Sequence, residues 1–366
     1  MRSCNIGFPV SLSDSAARDI PQAKCCLCPS TRSQNELISE AKIMSIMLCD
    51  AHETKDLTKD LKVVLVEHSH PSAYLEDFRA RLANRSHAAD SVGQVGADWL
   101  NSVLSHDAIK AVRDFTRSCH KTLLLRGIAL STDVSTPRDG FLPDNQCVLD
   151  FDLLHFGMLR LMGIRPYAVE YENHGKLVRN VLPVPEASGI TSSWGADVDF
   201  SWHTDNPNWP FAGQACDVEV RVPNFLAFVA VRNHEGASTD VVCVDQILEQ
   251  LPDWVITELS RPAYAFGAPA SNEGFEGQKR IFPILEHDGL VNRMRFDEGV
   301  VEAVDPLSAE ALSILRRCLK GTQGEQIVLR PGDFFIFKNT QVLHRRRAFK
   351  PLPEGKARWL RRVYAS

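Results

Sequence analysis

Two histidines and one aspartate stand out for the chemistry they can do together. The run Trp202-His203-Thr204-Asp205 places an imidazole and a carboxylate two residues apart. Side chains alternate with period 2 along an extended strand, so both project from one face. Far downstream, Leu343-His344 supplies a second imidazole. Two neutral imidazoles and one carboxylate make the facial triad that holds non-haem Fe(II) and leaves coordination positions open. Arg358 follows His344 by 14 residues, within Ala357-Arg358-Trp359-Leu360-Arg361-Arg362-Val363-Tyr364. Its guanidinium can clamp a carboxylate bidentately beside the metal. The combination predicts Fe(II), 2-oxoglutarate and O2 as cofactors, and oxidation of an unactivated C–H bond.

A lone His-x-Asp is more often polar alternation on a surface strand. The distal half changes that reading. Leu329-Arg330-Pro331-Gly332-Asp333 is a turn, Phe334-Phe335-Ile336-Phe337-Lys338-Asn339 is an apolar strand, and the chain then runs into Val342-Leu343-His344. In a two-sheet barrel such a strand returns the third ligand to the first two.

The elements that must position these groups read as follows. Helices are expected over 73–83, 98–119, 149–162, 245–260 and 308–321 from apolar residues at helical spacing. Short strands with Gly and Pro punctuation are expected over 121–130, 168–171, 176–183, 199–205, 225–231, 240–244, 280–286, 292–297, 326–329, 333–339 and 357–364. Residues 56–95 read as a polar connector around the first helix. A helical front followed by many short strands predicts a mainly β protein with flanking helices. Its core would be a double-stranded β-helix, a cupin-like jelly roll, from about residue 165 of a domain spanning 61–366.

Residues 1–60 hold five of the ten cysteines. Cys25 and Cys28 form C-x2-C, and Cys49 with His52 forms C-x2-H. Thiolates and imidazole at such spacings build tetrahedral structural zinc sites. A small Cys/His zinc-binding module with a leader is therefore expected here, resembling zinc-ribbon or treble-clef modules; the bland alternative is a cysteine-rich leader. The remaining cysteines lie singly in apolar or mixed segments and read as reduced thiols.

Composition excludes little but is consistent. Charged residues make 24% and the net charge is -5, which gives no reason to expect nucleic acid or a membrane surface as partner. The chain shows no apolar run of spanning length and no apolar secretory segment, so a cytoplasmic location is expected. Oligomeric state is not readable.

His203-Thr-Asp205, Arg232-Asn-His-Glu-Gly-Ala-Ser-Thr239, Met294-Arg-Phe-Asp297, Arg330-Pro-Gly-Asp333, Asn339, Leu343-His344 and Arg358-Trp-Leu-Arg-Arg-Val363 together carry a resemblance. They resemble the clavaminate synthase-like branch of the TauD-like Fe(II)/2-oxoglutarate oxygenases, which includes free amino-acid hydroxylases. The resemblance runs from about Ala97 to the C-terminus. It implies His203, Asp205 and His344 as iron ligands, with Arg358 and Thr239 on the distal carboxylate of 2-oxoglutarate. It implies Arg362 and Ser193 on a substrate α-carboxylate, Asp297 reading the substrate side chain, and Glu172 (or Glu170) reaching its ammonium. The substrate would be a small amino acid or derivative, hydroxylated, desaturated or cyclised in a specialised biosynthesis. Asp297 reads almost as well as a strand-end turn residue.

Two departures stand out. Asp205 takes a place where many members have glutamate, which shortens the arm and keeps the charge. Arg345 follows His344 where a glycine is usual; it either faces solvent or reaches an anionic group. Two other classes compete: an oxygenase of a non-amino-acid anion, which the Arg345–Arg347 run would suit, and an inactive zinc-bearing interaction protein, which the intact triad argues against.

Overall fold

The apolar run after the Pro331-Gly332 turn forms a strand in which every residue is buried, Phe334–Lys338 (β14). The turn requires glycine: Gly332 has φ +81°, and a Cβ there would lie 1.9 Å from the Ile128 carbonyl oxygen. β14 sits between Thr122–Arg126 (β2) and Phe225–Arg232 (β6). The sheet continues through Leu61–Leu65 (β1) on one side, and Trp359–Ala365 (β16) with Pro166–Tyr167 (β3) and Arg179–Val181 (β4) on the other. A second sheet has the order Glu325–Ile327 (β13), Thr239–Cys243 (β7), Val342–Arg346 (β15) and Phe200–His203 (β5). Smaller sheets comprise Tyr264–Gly267 (β8), Lys279–Phe282 (β9) and Val301–Ala303 (β12), and the hairpin Leu285–His287 (β10) with Asn292–Met294 (β11). This computed structural model describes residues 60–66, 72–82, 88–131, 133–142, 148–214 and 219–366, all within one compact unit. Cys25, Cys28, Cys49 and His52 lie outside the described residues.

The two larger sheets face each other across an apolar layer that includes Phe228, Val241, Phe335, Phe337, Val342 and Leu360. The outer face of the larger sheet packs on the helices Ala89–Val103 (α2) and Leu149–Met162 (α4), after Ser72–Leu82 (α1). The outer face of the smaller sheet packs on Val244–Leu248 (α5), Asp253–Leu259 (α6) and Pro306–Gly321 (α7). Period 2 along β16 shows in this layering: Trp359 and Val363 face the helices, whereas Leu360 and Tyr364 face the second sheet.

Most elements form where spacing predicts them, and the differences have local causes. The helix expected over 98–119 is two, α2 and His106–Asp114 (α3). Ser105 starts the second by accepting a hydrogen bond from Ala108 N, while Leu104 is extended. The helix expected over 245–260 is broken before Asp253 by Pro252, whose ring cannot continue a helix. β1 lies inside the stretch read as a polar connector; Val63 and Leu65 are exposed, so its composition carries little core signal.

Helices α2 and α4 approach backbone to backbone at two glycines. A Cβ on Gly96 would lie 2.1 Å from Leu153 O, and one on Gly157 would lie 2.6 Å from Gly96 C. Alanine is the better helix former by about 1 kcal/mol, but overpacking costs about 1–3 kcal/mol. Gly96→Ala is therefore expected to lower stability, with the midpoint of chemical denaturation as the measurement; an unchanged or higher midpoint would refute the close-approach argument.

Candidate metal centre

His203 and His344 are direct cross-strand partners in the antiparallel pair β5–β15. Their ring centroids lie 4.1 Å apart. Asp205 follows two residues past the end of β5, and its carboxylate Oδ1 lies 3.5 Å from His203 Nε2 and 3.4 Å from His344 Nε2. All three side chains are buried, and they form a candidate metal-holding group among the described residues. Ligand bonds of roughly 2.0–2.2 Å around one ion are compatible with such separations.

Supporting hydrogen bonds hold this group in place. His203 Nδ1 lies 2.7 Å from Ser201 O. A proton donated there leaves the Nε2 lone pair free for a metal. The Asn339 side chain clamps the backbone of Asp205: its Oδ1 accepts from Asp205 N at 3.0 Å, and its Nδ2 donates to Asp205 O at 3.2 Å. Thr204 N donates to Phe296 O at 2.7 Å, fixing the residue between the two ligands.

Burial, reinforced by the His203 ring, lowers His344 to about 4, which keeps its imidazole neutral and able to ligate. Burial pushes the Asp205 carboxyl up. Arg362, aided by the two neighbouring histidines, outweighs it and holds Asp205 well below the usual carboxylate range.

Arg362 donates from Nη1 to Asp205 Oδ2 at 2.7 Å, and from Nη2 to Glu172 Oε1 and to the Tyr364 hydroxyl. Tyr364 in turn donates to Glu172 Oε2 at 2.8 Å. Arg179 Nη1 lies 3.6 Å from Glu172 and its Nε donates to Ser193 Oγ at 2.8 Å. Burial opposes charge on Arg362, but Tyr364, Asp205 and Glu172 together raise its pKa.

The triad, Ser193, Thr239, Arg358 and Arg362 line one cavity. Arg358 Nη2 donates to Thr239 Oγ1 at 3.3 Å. Burial, aided by the charge of Arg346, lowers Arg358 to about 9. Glu172 lines an adjoining pocket that shares Arg362. Asp297 does not line the triad cavity; its carboxylate accepts from Gly299 N at 2.9 Å. Arg345 also borders the triad cavity, but Asp240 accepts from its Nε and its guanidinium stacks over Trp202.

Residues 272–364 match the family model described as taurine catabolism dioxygenase TauD, TfdA family. The match takes in His344, Arg358 and Arg362 but not the His203–Asp205 half of the centre. An L-asparagine oxygenase from Streptomyces coelicolor is 26% identical over 201 residues, 54% of this chain and 57% of the relative. The chain thus matches only a little over half the length of that relative. An enduracididine beta-hydroxylase from Streptomyces hygroscopicus is 23% identical over 278 residues, covering 68% of this chain and 77% of the relative. Among solved structures, asparagine oxygenase in complex with Fe(II), 3-hydroxyasparagine and succinate is similar with a TM-score of 0.69 at 22% identity, over 83% of this chain and 93% of that one. The described chain therefore shares the cupin-like fold of that structure.

Three residues around the centre carry no role in the sequence pattern, Tyr364, Arg179 and Asn206, and Arg346 stands out there only as part of the Arg345–Arg347 run. Asn206 adopts φ +54° and donates to Glu172 at 3.5 Å. Tyr364 had a usable signal, since period 2 along 358–364 places it on the face of Arg358 and Arg362. Arg179 had none, because its contact with Ser193 is set by a loop.

Proposed function

We propose that the chain is an Fe(II)/2-oxoglutarate-dependent dioxygenase that oxidises an unactivated C–H bond of a small amino acid with a polar or basic side chain. The observation that carries this reading is one cavity containing both a buried His-Asp-His group and a buried arginine, Arg358, paired with Thr239. His203, Asp205 and His344 would hold the iron, and the donor set fits it. When bound, iron and 2-oxoglutarate supply the oxidising chemistry, with O2 as oxidant and succinate and CO2 as coproducts. Arg358 and Thr239 would fix the distal carboxylate of the co-substrate through charge-assisted hydrogen bonds. Buried apolar walls from Val181, Phe228 and Leu360 exclude water from the same space.

In this reading the substrate α-carboxylate meets Arg362 and Ser193, and its ammonium meets Glu172. Arg362 already has Asp205 and Glu172 as neighbours, so an arriving zwitterion would find one cation and one anion side by side. A role for Asp297 in reading the side chain rests on the resemblance alone. Relatives named for asparagine and enduracididine support the amino-acid class.

The test compares an amino acid that supports succinate release with its methyl ester and its N-acetyl form. Both blocked forms are expected to lose most of the activity. Equal reactivity of all three would overturn the amino-acid reading and favour oxidation of some other anion.

The C-x2-C and C-x2-H pairs further support a structural zinc on Cys25, Cys28, Cys49 and His52, on spacing alone. Purified full-length protein is expected to keep about one zinc after mild chelation removes the iron. Cys28→Ser or Cys49→Ser should lose it and melt at a lower temperature. Zinc-free protein from metal-replete expression would refute the module.

A further inference from the structure

We propose that Arg346 is a second cation for the distal carboxylate of 2-oxoglutarate, acting with Arg358; this rests on the oxygenase reading above. Arg346 stands two residues after His344 on β15, and it lines the cavity that holds the triad, Thr239 and Arg358. Of the three consecutive arginines, Asp240 takes two: Arg345 Nε at 3.0 Å and Arg347 Nε at 2.9 Å. Arg346 is left over. It is 6% exposed and Arg358 is 3% exposed, so both charges are out of water. Arg346 Nη1 donates to the carbonyl oxygens of Ala196 and Arg347, while its Nε and Nη2 and the Nε of Arg358 are buried without partners. Among the described residues no carboxylate forms an ion pair with either guanidinium; Glu235 accepts from the backbone N of Arg358 instead. The guanidinium carbons lie 5.6 and 5.8 Å from the centre of one ring, Phe349, and both arginines line the triad cavity.

Asp199 and Asp197 act on Arg346, and Glu235 on Arg358, without forming an ion pair; two buried cations left without a paired carboxylate are costly, and every orphaned polar atom on them is a donor. The group that completes such a seat is an acceptor with full negative charge. A carboxylate has two oxygens and accepts from two arginines at once. The seat would thus select a keto acid with a charged tail over one of equal length with a neutral tail.

The experiment measures binding of 2-oxoglutarate, and of 2-oxopentanoate as the neutral-tail analogue, to Mn(II)-loaded full-length protein by calorimetry. Wild type, Arg346→Ala, Arg346→Lys and Arg358→Ala are compared, with steady-state KM for both substrates alongside. Arg346→Ala is expected to weaken 2-oxoglutarate binding about tenfold or more, which corresponds to about 1.4 kcal/mol. Arg346→Lys should recover part of the loss, 2-oxopentanoate binding should not change, and the amino-acid KM should stay put. Loss at Arg358→Ala with none at Arg346→Ala would overturn this inference and leave the oxygenase reading standing. Equal weakening of both keto acids in Arg346→Ala, or failure of Arg346→Lys to recover any affinity, would mark Arg346 as structural and also overturn it. If Arg358→Ala itself left 2-oxoglutarate binding intact, the co-substrate reading of the cavity would fail.

Discussion

Asp205→Ala is expected to abolish 2-oxoglutarate turnover while leaving the fold intact. The change would remove one of the three proposed ligands, so metal affinity should fall by more than the roughly 10–100-fold that loss of an outer supporting partner costs. The backbone there should stay in place, because Asn339 holds residue 205 through its main-chain N–H and C=O rather than through its side chain. His344→Ala should behave alike, since His344 and His203 face each other across the same strand pair. Succinate release, metal content and a melting curve test the prediction together. Turnover within about tenfold of wild type, a barrier change of only about 1.4 kcal/mol, in iron-loaded Asp205→Ala would sink the triad assignment.

Arg362→Ala should damage stability and metal binding together. Arg362 is the shared cation of two buried carboxylates, Asp205 and Glu172. Removing one partner of a buried pair typically costs about 3–5 kcal/mol, because a charge stays behind without compensation. The pH dependence has a definite sign. In wild type Asp205 is held below its unfolded value, so its stabilising contribution is present above the ordinary carboxylate range and is lost as pH falls through the folded value. Without Arg362, burial is free to push that carboxyl up. The stability deficit of Arg362→Ala should then be largest near neutral pH and shrink on acidification, as the orphaned carboxyl takes up a proton. Metal affinity should move the other way and fall more steeply than wild type as pH drops, since protons compete for Asp205. Melting curves and metal titrations between neutral and mildly acidic pH are the measurements. A variant that matches wild type in both would show that Arg362 is not the counter-ion of the centre.

The relation of His203 to Asp205 was legible because strand alternation is a property of the local backbone. The outcome differs in one detail. β5 ends at His203, and Asp205 is brought to the two imidazoles from the following turn rather than from the strand. What holds that turn is Asn339, 134 residues away, and a contact so distant in the chain leaves no local pattern to read. Helix 149–162 was legible from its apolar spacing, whereas α2 and α3 were run together because one serine cap interrupts an otherwise continuous periodicity.

Residue types, their order and their spacing were enough to pick out a His-Asp-His group, an arginine buried in the same cavity and a mainly β fold with flanking helices. Each of these follows from chemistry carried by single side chains or from backbone periodicity. Which arginine does what was decided only in three dimensions. The run Arg345-Arg346-Arg347 is uniform as sequence, yet Asp240 pairs with its first and third members and leaves Arg346 buried beside the triad cavity with two unpartnered N–H groups. Arg362 likewise reads as a free carboxylate clamp until folding sets it between Asp205 and Glu172. The fold assigns these roles because a buried charge is governed by the groups within a few ångströms of it, and those groups arrive from distant parts of the chain.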